Sequence, residues 1–199
     1  MILSDREIRA AIARGALRIS PLPAIDSPRW SSTAVDLALD AEIRQWSPPA
    51  DGPRLVIEPG RRDFSFTKVA ESHCQTFSCE PPVGYLLTPS AFILGWTIEK
   101  IKLPYASRLA ARVEGKSSLA RLGVGVHVTA PTIHAGFGDK SDDPAYPGTP
   151  IQLEIWNAGP LPIRLVKGLR ICQLIVEEVH GTPDIGYTGI FAEQGPRGS

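Results

Sequence analysis

From about Thr33 onward the chain is a succession of short apolar runs, each closed within a few residues by glycine or proline. That punctuation limits the fold more than any other feature. Proline removes a backbone donor and glycine weakens a helix, so 19 prolines and 18 glycines among 199 residues favour short strands joined by turns. The runs predict strands over residues 34–39, 54–57, 84–88, 92–98, 109–113, 125–129, 152–157, 163–165 and 171–177. Ser4 and Glu7 have capping-box spacing, Ile8, Ala11 and Ile12 recur at helical intervals, and Gly15 offers a stop, which together predict a helix over 4–14. Pro21, Pro23 and Pro28 then require an extended connection. The expected architecture is mainly β, a single domain over 1–180 followed by a tail over 181–199 that is mobile or closes over a site. Residues 138–148, reading GDKSDDPAYPG, are polar and turn-rich and predict an exposed loop.

The 21 basic and 21 acidic side chains cancel, so the broad positive surface needed for nucleic acid or an anionic membrane is not expected. Cys74, Cys79 and Cys172 form an odd set without paired spacing, which suits a reduced, cytoplasmic setting. Asp5, Arg6 and Glu7 stand where a secretory segment would need an apolar core, and no run approaches the roughly 18 apolar residues of a spanning helix.

Residues 115–123 read Gly-Lys-Ser-Ser-Leu-Ala-Arg-Leu-Gly. On one helical turn Ser117, Ser118 and Arg121 share a face, two hydroxyls and a cation that suit phosphate oxygens, although such a string alone is most often a capped surface turn. Gly-Lys-Ser also ends a P-loop, but that motif needs a glycine where Ala110 stands, which excludes a triphosphatase of that class. Along 151–156 strict alternation sends Ile151, Leu153 and Ile155 to one face and Gln152, Glu154 and Trp156 to the other. A carboxylate partly withdrawn from water by an aromatic neighbour holds its proton more tightly, as a proton shuttle must; the alternative is a solvated glutamate on a half-exposed strand. His73, His127, His134 and His180 never begin His-x-Glu, and Cys74 and Cys79 lack Cys-x-x-Cys spacing, so the zinc arrangement of nucleobase deaminases is absent and no zinc is expected.

Taken in order, Ser117-Ser118-Leu119-Ala120-Arg121-Leu122-Gly123, then His127-Val128-Thr129-Ala130, then Leu153-Glu154 with Asn157, resemble the dCTP deaminase family of dUTPase-like β folds. Ile2-Leu3-Ser4-Asp5-Arg6-Glu7-Ile8, Ala34-Val35-Asp36-Leu37 and Gln194-Gly195-Pro196 extend the resemblance along nearly the whole chain. It implies a distorted β-barrel or jelly-roll with a short N-terminal helix and one or two further short helices, forming a homotrimer with sites between subunits. It implies metal-free deamination of a deoxycytidine nucleotide, dCTP to dUTP and ammonia, with Glu154 as general base and acid. Ser117 would hold the attacking water and Arg121 would support the glutamate. Lys116 and Ser118 would contact phosphate, and the main chain of Val128, Thr129 and Ala130 would read the base edge. His134, Phe137, Gln173, Tyr187 and Gln194 would complete the nucleotide site, and magnesium would arrive bound to the substrate phosphates.

The chain also departs from that family. Ile133-His134-Ala135-Gly136-Phe137 carries histidine where the family pattern has an aspartate directed at the sugar hydroxyl, replacing a fixed negative charge with a group that titrates near neutral pH. Lys116 replaces a frequent arginine, the 138–148 stretch reads as an insertion, and residues 189–194 lack the lysine of the family's phosphate-binding run. A changed phosphate number or base, or lost activity, is compatible with these departures. Two alternatives therefore stand beside the deaminase: a dUTPase-like diphosphohydrolase, and a non-catalytic trimer that binds or senses nucleotides.

Overall fold

The computed structural model of the 199-residue chain describes residues 1–47, 56–126, 130–140, 143 and 145–187. In chain order the elements are helix α1 (Asp5–Ala13), strands β1 (Arg18–Ser20), β2 (Val35–Ala38) and β3 (Glu42–Trp46), helix α2 (Phe66–His73), and strands β4 (Cys74–Ser78), β5 (Tyr85–Leu87) and β6 (Phe92–Lys102). A 3-10 turn over Tyr105–Ser107 leads to β7 (Leu109–Gly115), helix α3 (Ser117–Ala120), β8 (Val124–Val126), β9 (Thr132–Ile133), β10 (Thr149–Asn157), β11 (Ile163–Leu165) and β12 (Arg170–Glu178).

Two antiparallel sheets carry the fold. One runs β4-β3-β6-β10-β8 with β1 added on the C-terminal half of β6; the other runs β2-β12-β7-β9, and β5 and β11 form a separate pair. No strand path among the described residues closes into a full barrel. Their apolar faces share one core in which Ile93, Leu153 and Ile155 of the first sheet join Val113, Leu174 and Val176 of the second, all fully buried. Helix α1 closes one end, with Ser4 Oγ accepting from the Glu7 amide at 3.3 Å and with Ile8 and Ala11 fully buried.

The expected mainly β architecture with two further short helices is present. Strand 92–98 continues to Lys102, where β1 pairs with it. Residues 56 and 57 of the expected 54–57 strand lie outside any strand, with Val56 72% exposed and therefore without the packing that would hold an extended segment; residues 54 and 55 lie outside the described residues, as do 127–129 of the 125–129 strand. Four strands, β1, β3, β4 and β9, and helix α2 are not among the expected elements: β4 is an edge strand exposed along nearly its whole length, and α2, although Phe66, Val69 and Ala70 recur at helical spacing, is only eight residues long and buries only Ala70.

The 138–148 loop departs from expectation at both ends. Gly138 (φ +66°) and Gly148 (φ +105°) are buried against β6, where an added Cβ would lie 2.1 Å and 2.5 Å from the Ile101 carbonyl oxygen, so only glycine permits this approach. Asp143 and Ala145 are exposed. The tail is docked as far as it is described: Gly186 and Tyr187 cross Gly136 (φ +93°), where a Cβ would come within 2.4 Å of the Tyr187 amide nitrogen.

Candidate active site

Glu154 projects from β10 opposite Leu94 of β6, on the face away from fully buried Leu153 and Ile155. The alternation expected of 151–156 is the observed one. Glu154 faces a cavity of about 410 Å³, and its Oε2 is withdrawn from solvent. One wall is aromatic and aliphatic, made by Trp46 of β3, Phe66 of α2 and Phe92 and Leu94 of β6. Trp46 and Phe66 meet edge to face at 6.2 Å.

The opposite wall is built by Ala130, Thr132, Ile133, His134, Phe137 and Tyr187. The His134 and Tyr187 rings stack at 5.5 Å and 15°, and Phe137, 4% exposed, lies under Tyr187 at 6.2 Å. Leu103 holds this wall from below, donating to the Phe137 carbonyl at 2.9 Å and accepting from the Gly136 amide at 2.7 Å. Four residues expected at the nucleotide site, Ala130, His134, Phe137 and Tyr187, thus share one cavity with Glu154. Trp156 does not flank it: its ring lies across the strand pair on Gly125, where a Cβ would stand 2.2 Å from Trp156 Cε2. The aromatic surroundings of Glu154 come instead from Trp46, Phe66 and Phe92.

The serine-arginine segment is a helical turn, with the Arg121 amide donating to the Ser117 carbonyl at 3.1 Å, and Ser117, Ser118 and Arg121 are exposed. It does not line the Glu154 cavity. Gly123 (φ +89°) packs on Gly159, and the Ala158 amide donates to the Gly123 carbonyl at 2.8 Å, fixing the turn at the Asn157 end of β10. Asn157 is roughly 10 Å along the strand from Glu154 at about 3.4 Å per residue.

Lys116 and Gln173 belong to a third cluster. Asp36 of β2, 4% exposed, accepts from Lys116 Nζ at 2.6 Å and from Gln173 Nε2 at 3.2 Å, and pairs with Arg170 at 3.4 Å. Nearby, fully buried Glu99 pairs with Arg29 and accepts from the Ala38 amide at 2.8 Å. Neither Lys116 nor Gln173 lines the Glu154 cavity, because each is drawn to Asp36 within the second sheet. Val128, Thr129 and Gln194 lie outside the described residues.

A family profile described as dCTP deaminase-like matches residues 2–179. The chain belongs to the dCTP deaminase-like family. A relative from Rhodospirillum rubrum named dCTP deaminase is 36% identical over 177 residues, covering 89% of this chain and 82% of its own. One from Mycobacterium marinum named dCTP deaminase, dUMP-forming is 36% identical over 203 residues, covering 100% of this chain and 93% of its own. The crystal structure of 2'-deoxycytidine 5'-triphosphate deaminase from Agrobacterium tumefaciens superposes with a TM-score of 0.61 at 22% identity over 90% of this chain, a likeness of fold. This chain spans about half, 48%, of that one.

Within this member of the dCTP deaminase-like family, the aromatic wall is the part that sequence reasoning missed. Trp46 of β3 and Phe66 of α2 stand 20 positions apart in the chain, and only their edge-to-face contact in the folded structure brings them together beside Glu154. Among the described residues no helix is long and apolar enough to cross a membrane.

Proposed function

We propose that this protein deaminates a deoxycytidine nucleotide by water attack, with dCTP the first substrate to test and Glu154 carrying the protons. One observation carries the reading: a carboxylate with a solvent-shielded oxygen shares a cavity with Ala130, His134, Phe137 and Tyr187. Glu154 takes a proton from water as it adds to C4 and passes it to N3 of the base, then takes the C4 hydroxyl proton and returns it to the amino nitrogen as the C4–N bond breaks; ammonia leaves and a C4 carbonyl forms. The aromatic wall excludes bulk water from a flat base, and Phe137 with Tyr187 offers a packing surface for the sugar.

The Ser117–Arg121 turn is supplied by a neighbouring subunit of a homotrimer, where Ser117 holds the water, Arg121 supports the glutamate, and Ser118 meets phosphate, while Lys116 stays paired with Asp36. Its exposure, together with that of Leu122 at 45%, and its separation from the Glu154 cavity of the same protomer support this arrangement. Among the described residues Glu154 is the one carboxylate lining the cavity, which fits magnesium held by the substrate's own phosphate oxygens rather than by a protein cage. When bound, the ion neutralises phosphate charge.

The test is incubation of the full chain with magnesium and dCTP, dCMP, CTP or dUTP, followed by separation of ammonia, pyrophosphate and uracil nucleotides. Ammonia from dCTP is the expected result, and the product's phosphate number separates a dUTP-forming from a dUMP-forming enzyme. Glu154→Gln should lower kcat by about 10²–10⁴-fold, because an amide cannot shuttle protons. Full turnover by that variant, or pyrophosphate from dUTP without ammonia from dCTP, would overturn the reading. Binding without any turnover would favour a sensor.

A further inference from the structure

Glu154 is not the only polar side chain that β10 turns toward its cavity. Gln152, two residues earlier on the same face, lines it as well. Among the described residues its half-buried carboxamide has no hydrogen-bond partner. An amide that both donates and accepts is thus presented to whatever fills the cavity.

The strand is built to aim it there. The β10–β6 register shifts between Pro150 and Gln152, and the Ile151 amide leaves the ladder to donate to Thr97 Oγ1 at 2.9 Å. Thr149, Pro150 and Ile151 are all buried, and the half-buried positions of β10 begin at Gln152. An irregularity of this kind re-aims the side chain beside it.

The order of groups along β10 says what Gln152 meets. Phe137 is fixed at the start of the strand, because its neighbour Gly138 approaches so closely that an added Cβ would lie 2.9 Å from the Thr149 amide nitrogen. The strand therefore passes Phe137 first, then Gln152, then Glu154. Residues two apart on a strand are separated by about 7 Å and point the same way. Glutamine and glutamate side chains are equally long, so their ends keep that spacing. With C4 of the base at Glu154, a group about 7 Å toward Phe137 lies beyond the 2-carbonyl of the pyrimidine ring and level with the sugar.

We infer that Gln152 is a specificity-determining residue of this site, its carboxamide holding the 3′-hydroxyl of the deoxynucleotide while the sugar carbons pack on Phe137 and Tyr187. The inference rests on the deaminase reading for the position of the base. A neutral partner suits this place, since a second carboxylate on the same face would repel ionised Glu154. His134 is less suited, because the face of its ring is stacked on Tyr187.

The experiment compares dCTP with 2′,3′-dideoxycytidine triphosphate, which lacks only the 3′-hydroxyl, by calorimetric titration with magnesium. The full chain carries Glu154→Gln so that turnover does not consume the ligand, and it is measured with Gln152 intact, with Gln152→Leu and with His134→Ala. With Gln152 intact the dideoxynucleotide should bind roughly 3–10-fold more weakly, the worth of one neutral hydrogen bond. In Gln152→Leu the two should bind alike, and His134→Ala should keep the discrimination. Partial misfolding lowers the stoichiometry of both titrations and leaves their affinity ratio intact. No binding of either nucleotide, equal binding with Gln152 intact, a ratio that survives Gln152→Leu, or one lost only in His134→Ala would overturn the inference. These ratios are equilibrium quantities, so a wild-type chain that releases no ammonia from dCTP would sink the deaminase reading by a separate measurement.

Discussion

Asn157 ends β10 with a side chain 1% exposed and fully engaged. Its Nδ2 donates to the carbonyls of Leu87 at 3.1 Å and Leu161 at 2.8 Å, and its Oδ1 accepts from the Gly159 amide at 2.9 Å. One residue thereby ties β10 to β5 and shapes the turn that receives Gly123 and the serine-arginine segment. Asn157→Ala deletes three hydrogen bonds at about 1 kcal/mol each, and leaving the carbonyl of fully buried Leu87 without a donor adds about 1–3 kcal/mol before any water enters. A loss of about 4–6 kcal/mol follows, large against the roughly 5–15 kcal/mol that stabilises a typical domain. Urea unfolding followed by tryptophan fluorescence reads it as a lower midpoint at unchanged slope. Turnover at saturating substrate should also fall in the folded variant, because the Gly123–Gly159 contact loosens. A loss below about 1 kcal/mol at the same slope would refute the reasoning, since it would mean that these bonds are replaced on truncation.

Glu99→Ala removes a fully buried carboxylate from Arg29 and the Ala38 amide, and the same urea experiment should show a loss of about 3–5 kcal/mol. Gly136→Ala forces a side chain onto φ +93° and against the Tyr187 amide, at a cost of about 1–3 kcal/mol. The docked tail then opens more often, so chymotryptic cleavage after Tyr187 should accelerate by roughly 5–100-fold; an unchanged rate would show that the tail is not held there. Burial raises the thiol of Cys79 to about 11 and pushes Cys74 and Cys172 upward as well. A raised folded-state value means that the thiol's contribution is complete below the unfolded value of 9.0 and is lost as pH climbs. Unfolding titrations should therefore show stability falling between about pH 9 and pH 11, and Cys79→Ala should flatten that decline.

What the sequence alone determined lies where local pattern and tertiary environment agree. The Ser4 cap and the buried stripe of Ile8 and Ala11 define α1, and strict alternation in β10 turns Glu154 away from the core; both depend only on the periods of helix and strand. The resemblance carried by the serine-arginine turn and the Glu154 strand likewise led to the right family. What only the tertiary structure decided is which residues meet. Edge strand β4 has almost no apolar signature and helix α2 is only two turns long, and nothing local shows that Phe66 of α2 and Trp46 of β3 meet, so the aromatic wall they bring to Glu154 was not legible. Asp36 claims Lys116 and Gln173 for the second sheet, Trp156 packs on Gly125 rather than beside Glu154, and the 138–148 loop is pinned to β6 by two glycines. The common physical reason is that these contacts join residues far apart in sequence. Side-chain period fixes which face a residue presents, while the crossing of the sheets fixes what that face meets.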